Sequence, residues 1–276
     1  MSKAFEEKME EITSELGKLK MDVIGLTETK QKGTGSEIAG GYVHLYSTVS
    51  KDRRAERGVS ILIKKKFKKG ITNWEEVNKT IITVNINHLG IKITVLCVYA
   101  PSNDKVDLEK DQFYEKLNES LINIGTTRKI ILLGDFNGHT GTKVNNQVAG
   151  PYGETRINDN GEHLIDLCES HNLRITNGYF KHKMIHKNTW EQHTRKLKSI
   201  IDYIIVKQKS KFQVHDVRVQ RGINCGSDHY VVRAKAYLPI RGRTNNTDKH
   251  DENHEKFMYI KYNLDSFQHE STQYLY

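Results

Sequence analysis

The stretch Lys129–Gly141, KIILLGDFNGHTG, constrains the fold of this chain more than any other. Lys129 to Leu133 read as a short strand covered on both faces, the pattern of a sheet interior. Gly134 breaks the run, and Asp135 and Asn137 follow two residues apart. Residues two apart in extended chain point to the same side, so a carboxylate and a carboxamide leave the strand end together. In open α/β sheets that end is where ligands bind. Far downstream, Gly226-Ser227-Asp228-His229 opens a second apolar run, Tyr230 to Leu238.

With 276 residues the chain is long enough for one large α/β domain. A net charge of +9 points to a polyanionic partner, most simply nucleic acid, although a lysine-rich solvated surface gives the same total. Cys97, Cys168 and Cys225 are odd in number and widely spaced, which excludes a disulfide framework and a zinc cluster. Cys97 and Cys168 sit in apolar surroundings as small core residues, and a reducing intracellular compartment follows. No apolar run approaches the roughly 18 residues of a membrane span. The charged start MSKAFEEKMEEI is no secretory signal.

Phe5, Met9, Ile12, Leu16 and Leu19 recur at helical spacing and predict an amphipathic helix docked on a sheet. Strands are expected at Asp22–Leu26, Gly58–Lys65, Thr80–Asn87 and Ile91–Tyr99, the last two joined as a hairpin through His88-Leu89-Gly90. Helices are expected over about 105–124 and 160–170. Leu173–Asn177, Ser199–Val206, Phe212–Val219 and Tyr230–Leu238 complete the strands. Strands mixed with few helices argue for two packed mixed sheets flanked by helices. Residues 1–239 form the domain; the polar stretch 240–276 reads as linker or disordered tail.

Polar residues fall at the ends of apolar runs: Glu28, Tyr99, Asp135 with Asn137, Asp202, and Asp228 with His229. Glu28 also fits a solvated strand end and Tyr99 a core aromatic. Asp202, between Ile200-Ile201 and Ile204-Ile205, is costly to bury without a partner, and His229 is the obvious one. Such a pair fixes the imidazole tautomer and suits acid–base work on a phosphate. Glu28 is a hard oxygen ligand of the kind Mg²⁺ prefers, Asp135 can orient an attacking water, and Asn137 can donate to developing charge. Together they read as metal-assisted cleavage of a phosphate ester.

These residues resemble the endonuclease/exonuclease/phosphatase superfamily. The motifs stand as LTETK with Glu28, VYAPSND with Tyr99, LLGDFN with Asp135 and Asn137, NTW with Thr189, SIIDYIIV with Asp202, and GSDHYVV with Ser227, Asp228 and His229. The likeness spans roughly 20–238 and implies a four-layer α/β sandwich, like exonuclease III and DNase I. Its wording is closest to non-LTR retrotransposon endonuclease domains and craniofacial development protein 2-like sequences. In those relatives the domain nicks DNA to expose a 3′-hydroxyl that primes reverse transcription, and a reverse transcriptase lies downstream. The resemblance implies Mg²⁺, with Mn²⁺ as substitute, and a monomer acting on DNA in the nucleus. It makes Glu28 and Asp228 metal ligands, Asp135 the residue that orients the nucleophile, and Asn137 a transition-state donor. Tyr99 becomes a phosphate contact and Asp228 or Asp202 the support of His229. Thr189 and Ser227 become phosphate contacts or residues behind them.

One departure stands out. The family opens with a strand carrying a Trp-Asn-Val-type motif, and this chain begins at the helix after it. The expectation is therefore a domain lacking its first strand, with backbone groups of neighbouring strands left open and activity reduced. From Gly178 to Trp190 the chain interleaves Lys181, Lys183 and Lys187 with Tyr179, Phe180 and Trp190, a pattern for phosphate contact beside a groove. Two alternatives share much of this: an abasic-site repair endonuclease, and a catalytically weak or dead remnant that binds nucleic acid.

Overall fold

The computed structural model describes residues 3–29, 33–48, 58–142, 147–210, 212–223 and 227–237. The basic run Lys51–Arg57, Cys225, Gly226 and the predicted tail 240–276 lie outside the described residues. Helix α1 (Lys3–Lys18) leads to β1 (Val23–Thr27), followed by β2 (Gly35–Ala39), β3 (Tyr42–Thr48) and β4 (Gly58–Lys64). Strands β5 (Ile71–Asn78), β6 (Ile81–His88) and β7 (Ile91–Tyr99) form a meander, and α2 (Asp107–Ile124) crosses to β8 (Lys129–Asp135). Helix α3 (Asp159–Ser170) precedes β9 (Leu173–Ile175), the short hairpin β10 (Trp190–Gln192) and β11 (Leu197–Ser199), and β12 (Asp202–Lys207). The ribbon β13 (Gln213–Gln220) and β14 (Val231–Tyr237) ends the order.

Six strands form one sheet in the order β5-β6-β7-β8-β12-β9, and four form another in the order β1-β4-β3-β2. Alternation along the strands decides what each face meets. Ile93, Val95 and Cys97 of β7, Leu133 of β8 and Ile204 of β12 pack on Val59, Ile61 and Ile63 of β4 and on the ribbon's Val217 and Val232. This is the core between the sheets. The opposite parity, Leu96, Val98, Leu132 and Ile205, packs on Phe113 and Leu117 of α2 and Leu164 and Cys168 of α3. On the far side α1 lays Met9, Ile12 and Leu16 over Ile24, Leu26 and Leu62. The layers are therefore helix, sheet, sheet and helix pair, and each buried Val, Leu or Ile contributes about 1.5–3 kcal/mol. Strand β1 pairs with β4 alone among the described residues, yet all five of its residues are buried.

Cys97 and Cys168 are buried free thiols, as composition predicts, and burial pushes the Cys168 thiol up. The β6–β7 hairpin turns through Leu89 and Gly90, both at positive φ (48° and 78°), the conformation a two-residue turn of this twist requires. Two sequence expectations need correction. Strands β2, β3, β5, β10 and β11 were absent from the predicted set. The predicted strand Ser199–Val206 is broken: β11 stops at Ser199 and β12 starts at Asp202. The break arises because Ile201 leaves the ladder, its carbonyl accepting from Phe136 N at 2.9 Å and its N–H donating to Thr189 Oγ1 at 3.0 Å.

Candidate active site

Strand register brings the site together. Tyr99, the last residue of β7, is the parallel partner of Asp135, the last of β8, and Asp135 is the antiparallel partner of Asp202, the first of β12. Laterally paired residues share a face. The three side chains therefore continue the stripe Cys97, Leu133 and Ile204 that fills the inter-sheet core, and the site is the polar end of that core.

The second sheet and the ribbon supply the other wall. Glu28 follows β1, and its carboxylate accepts a hydrogen bond from the Tyr99 hydroxyl across the sheets. His229 precedes β14 and places Nδ1 3.0 Å from Asp202 Oδ2. Asp202 is 1% exposed, so this carboxylate is held by geometry rather than by solvent. A carboxylate facing Nδ1 keeps the proton there and directs acid–base work to Nε2. Ligand atoms of Asp135, Asp202 and His229 lie within 4.8 Å of one another, a grouping able to hold a metal ion. Glu28 and Asp228, the ligands expected from sequence, are not in that trio.

Backbone conformation marks the same place. Of six non-glycine residues at positive φ among the described residues, Lys20, Leu89, Asn172 and Lys196 sit at helix ends or hairpin turns. The other two are Glu28 (φ 54°) and Asn137 (φ 46°). Left-handed backbone costs such residues about 1–2 kcal/mol, so neighbouring contacts must hold them. Asn137 N donates to Asp135 Oδ1 at 2.8 Å, and its side-chain amide donates to the Ala100 carbonyl at 2.9 Å. Asn158 braces it from behind: its Oδ1 accepts from His139 N (2.7 Å) and Gly161 N (2.9 Å), and its amide donates to the Asn137 carbonyl at 3.2 Å. Asn160, fully buried, adds a longer bond of 3.3 Å to the same carbonyl.

The remaining sequence candidates divide. Asp228 is exposed, and its Oδ2 accepts from the Trp190 indole at 2.8 Å; Asp202, not Asp228, supports His229. Thr189 is fully buried; its hydroxyl oxygen accepts from the N–H groups of Ile201 and Asp202 and fixes the start of β12. Ser227 Oγ accepts from His229 N at 3.0 Å. Lys181 and Lys183 are exposed, whereas Lys187 turns inward to donate to the Gly153 carbonyl at 3.1 Å, and burial lowers its pKa. None of the three lysines joins the carboxylate cluster. Asn158 and Asn160, which the sequence places in a different segment from the family's metal-site asparagine, and the indole of Trp190 prove to brace the site. The Asn–Asp–Asn–Gly run at a helix start was their one visible signal.

Comparison with known proteins bears on the family and the fold. A family model described as endonuclease-reverse transcriptase matches residues 93–233. The chain is 27% identical over 234 residues to craniofacial development protein 2 of Bos taurus, covering 85% of this chain and 39% of that protein. It thus spans about two fifths of the length of the curated relatives it matches. The fold is similar to that of the AP endonuclease LMAP from Leishmania major (TM-score 0.59, 16% identity, 80% of this chain and 79% of that one). It is also similar to the endonuclease domain of TRAS1, a telomere-specific non-LTR retrotransposon (TM-score 0.53, 18% identity, 80% and 88%). No helix among the described residues is long and apolar enough to cross a membrane.

Proposed function

The chain belongs to the endonuclease–reverse transcriptase family of the endonuclease/exonuclease/phosphatase superfamily, and on that footing we propose that it is a metal-dependent DNA endonuclease that nicks one strand and leaves a 3′-hydroxyl. The observation that carries this reading is the register-aligned trio Tyr99, Asp135 and Asp202, with His229 clasped by Asp202 at 3.0 Å. The donor chemistry fits a hard divalent cation such as Mg²⁺: Glu28, Asp135 and Asp202 offer carboxylate oxygens around one end of the inter-sheet core. A cation held there would neutralise phosphate charge and make a water beside it more acidic.

The chain's own groups supply the rest. Asp135, its Oδ1 accepting from the Asn137 N–H, orients the attacking water and takes up the proton that the water sheds on attack. The Tyr99 hydroxyl, whose one hydrogen goes to Glu28 without substrate, turns that hydrogen to a non-bridging phosphate oxygen when DNA is bound. Asn137 keeps one amide hydrogen beyond the one given to Ala100, and donates it to charge developing on phosphorus. His229, its Nδ1 proton donated to Asp202, takes a second proton from solvent at Nε2, and as the imidazolium it stabilises the same charge or gives that Nε2 proton to the leaving oxygen. A DNA substrate places the work in the nucleus.

The test is nicking of supercoiled plasmid with Mg²⁺, beside EDTA and Asp135→Ala. Metal-dependent open circles are expected, with Asp135→Ala slower by about two orders of magnitude or more. Equal nicking by the variant, or none by the folded wild type, sinks the proposal. A strong preference for abasic over intact duplex in the same assay would replace it with the repair reading.

A further inference from the structure

The loop that carries Lys181 and Lys183 runs along the edge of β13 and closes a hollow there. Val217 and Val219 of β13 and Val232, Ala234 and Ala236 of β14 are buried, which turns Asp216, Arg218, Arg233 and Lys235 to the opposite face. Register places Arg218 directly across from Arg233, and Asp216 across from Lys235. Arg221 joins from the end of the strand: its Nε donates to the Ile185 carbonyl at 2.7 Å, and its guanidinium lies 3.6 Å from the centre of the Tyr230 ring. His186, with Nδ1 3.2 Å from the Val219 carbonyl, forms the loop side of the hollow.

Like charges directly opposite on paired strands are destabilising. Among the described residues the carboxylate lining this hollow is that of Asp216, already shared between Arg218 Nε at 2.5 Å and His182 Nε2 at 2.8 Å. Four cations thus line a concave surface; Arg218 is paired with Asp216 and Arg221 reaches Glu191 at 3.4 Å, while Arg233 and Lys235 add positive charge on the paired strand. An anion seated among them offsets the repulsion, and the planar fork of arginine matches phosphate oxygens. The loop that lines the hollow continues through Asn188 to Thr189 and Trp190, whose indole holds Asp228.

We propose that this hollow is a phosphate-binding site, and that its ligand is a backbone phosphate of the DNA flanking the cut. The choice of DNA rests on the endonuclease reading; the anion site rests on Arg218, Arg221, Arg233 and Lys235. Such a contact positions the duplex without reading its sequence.

Binding of a labelled duplex, read by fluorescence anisotropy in EDTA across a salt series, tests it. Arg218→Gln/Arg233→Gln is expected to lower the slope of log affinity against log salt by about two and to weaken binding about tenfold at physiological salt. Inorganic phosphate should raise the Tm of the wild type more than that of the variant. Unchanged slope and affinity in the folded variant overturn the proposal. Should the double variant fail to fold, Lys235→Gln, at an exposed position, is expected to lower the slope by about one, and no change there overturns it equally. Poly-glutamate displacing the duplex as readily as unlabelled DNA overturns the choice of ligand. Because EDTA separates binding from cleavage, a chain that binds through these arginines yet nicks nothing counts against the endonuclease reading alone. A nicking chain with an unchanged slope counts against the hollow alone.

Discussion

The Trp190 indole donates to Asp228 Oδ2 at 2.8 Å, while the neighbouring backbone pairs Trp190 with His229 and Glu191 N with the Asp228 carbonyl. One side chain thus sets the orientation of an exposed carboxylate beside the acid–base histidine. Trp190→Phe keeps an aromatic ring and removes the donor. A hydrogen bond to a charged group is worth about 1.5–3 kcal/mol, but at an exposed site the lower end applies, so kcat for nicking should fall about tenfold. KM should move little, since the phosphate contacts elsewhere remain. An unchanged kcat would mean that the position of Asp228 is not used. The sequence shows Trp190 only as an aromatic in a basic loop, since its partner lies 38 residues away and no spacing encodes that bond. Asp135, Asp202 and His229 are legible because each adjoins an apolar run where a charged group needs a reason to be. Asn158 and Asn160 are not, because amides that act on backbone carbonyls leave no periodic trace.

At the scale of elements, β8 shows what the site demands of its strand. Gly134 sits at φ 143°, and a Cβ built on it would overlap the carbonyl oxygen and backbone nitrogen of Val98 on β7. Only glycine lets the two parallel strands approach this closely just before Asp135 and Tyr99. Gly134→Ala meets both a backbone clash and a forbidden φ, so a loss of about 3 kcal/mol or more is expected, read as a lower urea midpoint. A midpoint equal to wild type would show that the strand ends can part at little cost. The same strand was readable from sequence, as were β4, β6, β7 and the body of β12, because their faces are apolar and rich in branched residues. Strand β5, ITNWEEVN, was not: as the outer strand of its sheet it is half exposed, and its glutamates and asparagines hide the alternation. Strand β9 lies within the expected Leu173–Asn177, whereas the three-residue strands β10 and β11 are too short for any period to show. Their placement comes from tertiary bonds such as those at Thr189.

At the scale of the whole molecule, the site is assembled across two sheets, so its geometry depends on how the ribbon is fastened to the β10–β11 hairpin. Glu191 is the main tie. Its carboxylate faces Lys198 Nζ at 2.7 Å on β11, accepts from the Tyr230 hydroxyl at 3.1 Å before β14, and reaches Arg221 Nη1 at 3.4 Å after β13. Lys198, then Tyr230 and Arg221, hold its carboxyl down to about 2 from an ordinary 4.5. The unfolded chain therefore binds this proton more readily than the folded one, and stability rises with pH wherever that holds. The contribution is fully present above about pH 4.5 and is lost as pH falls through about 2. Glu191→Gln removes the charge at every pH. Its Tm should lie below that of wild type at neutral pH, and the gap should close as pH falls from about 4.5 towards 2, because protonated wild type has lost the same ion pairs. A gap that stays constant over that window would assign the destabilisation to packing instead. The accompanying loss of nicking should exceed the loss of Tm, since Glu191 N also holds the carbonyl of Asp228, and a loosened hairpin carries Asp228 and His229 away from Asp202 together.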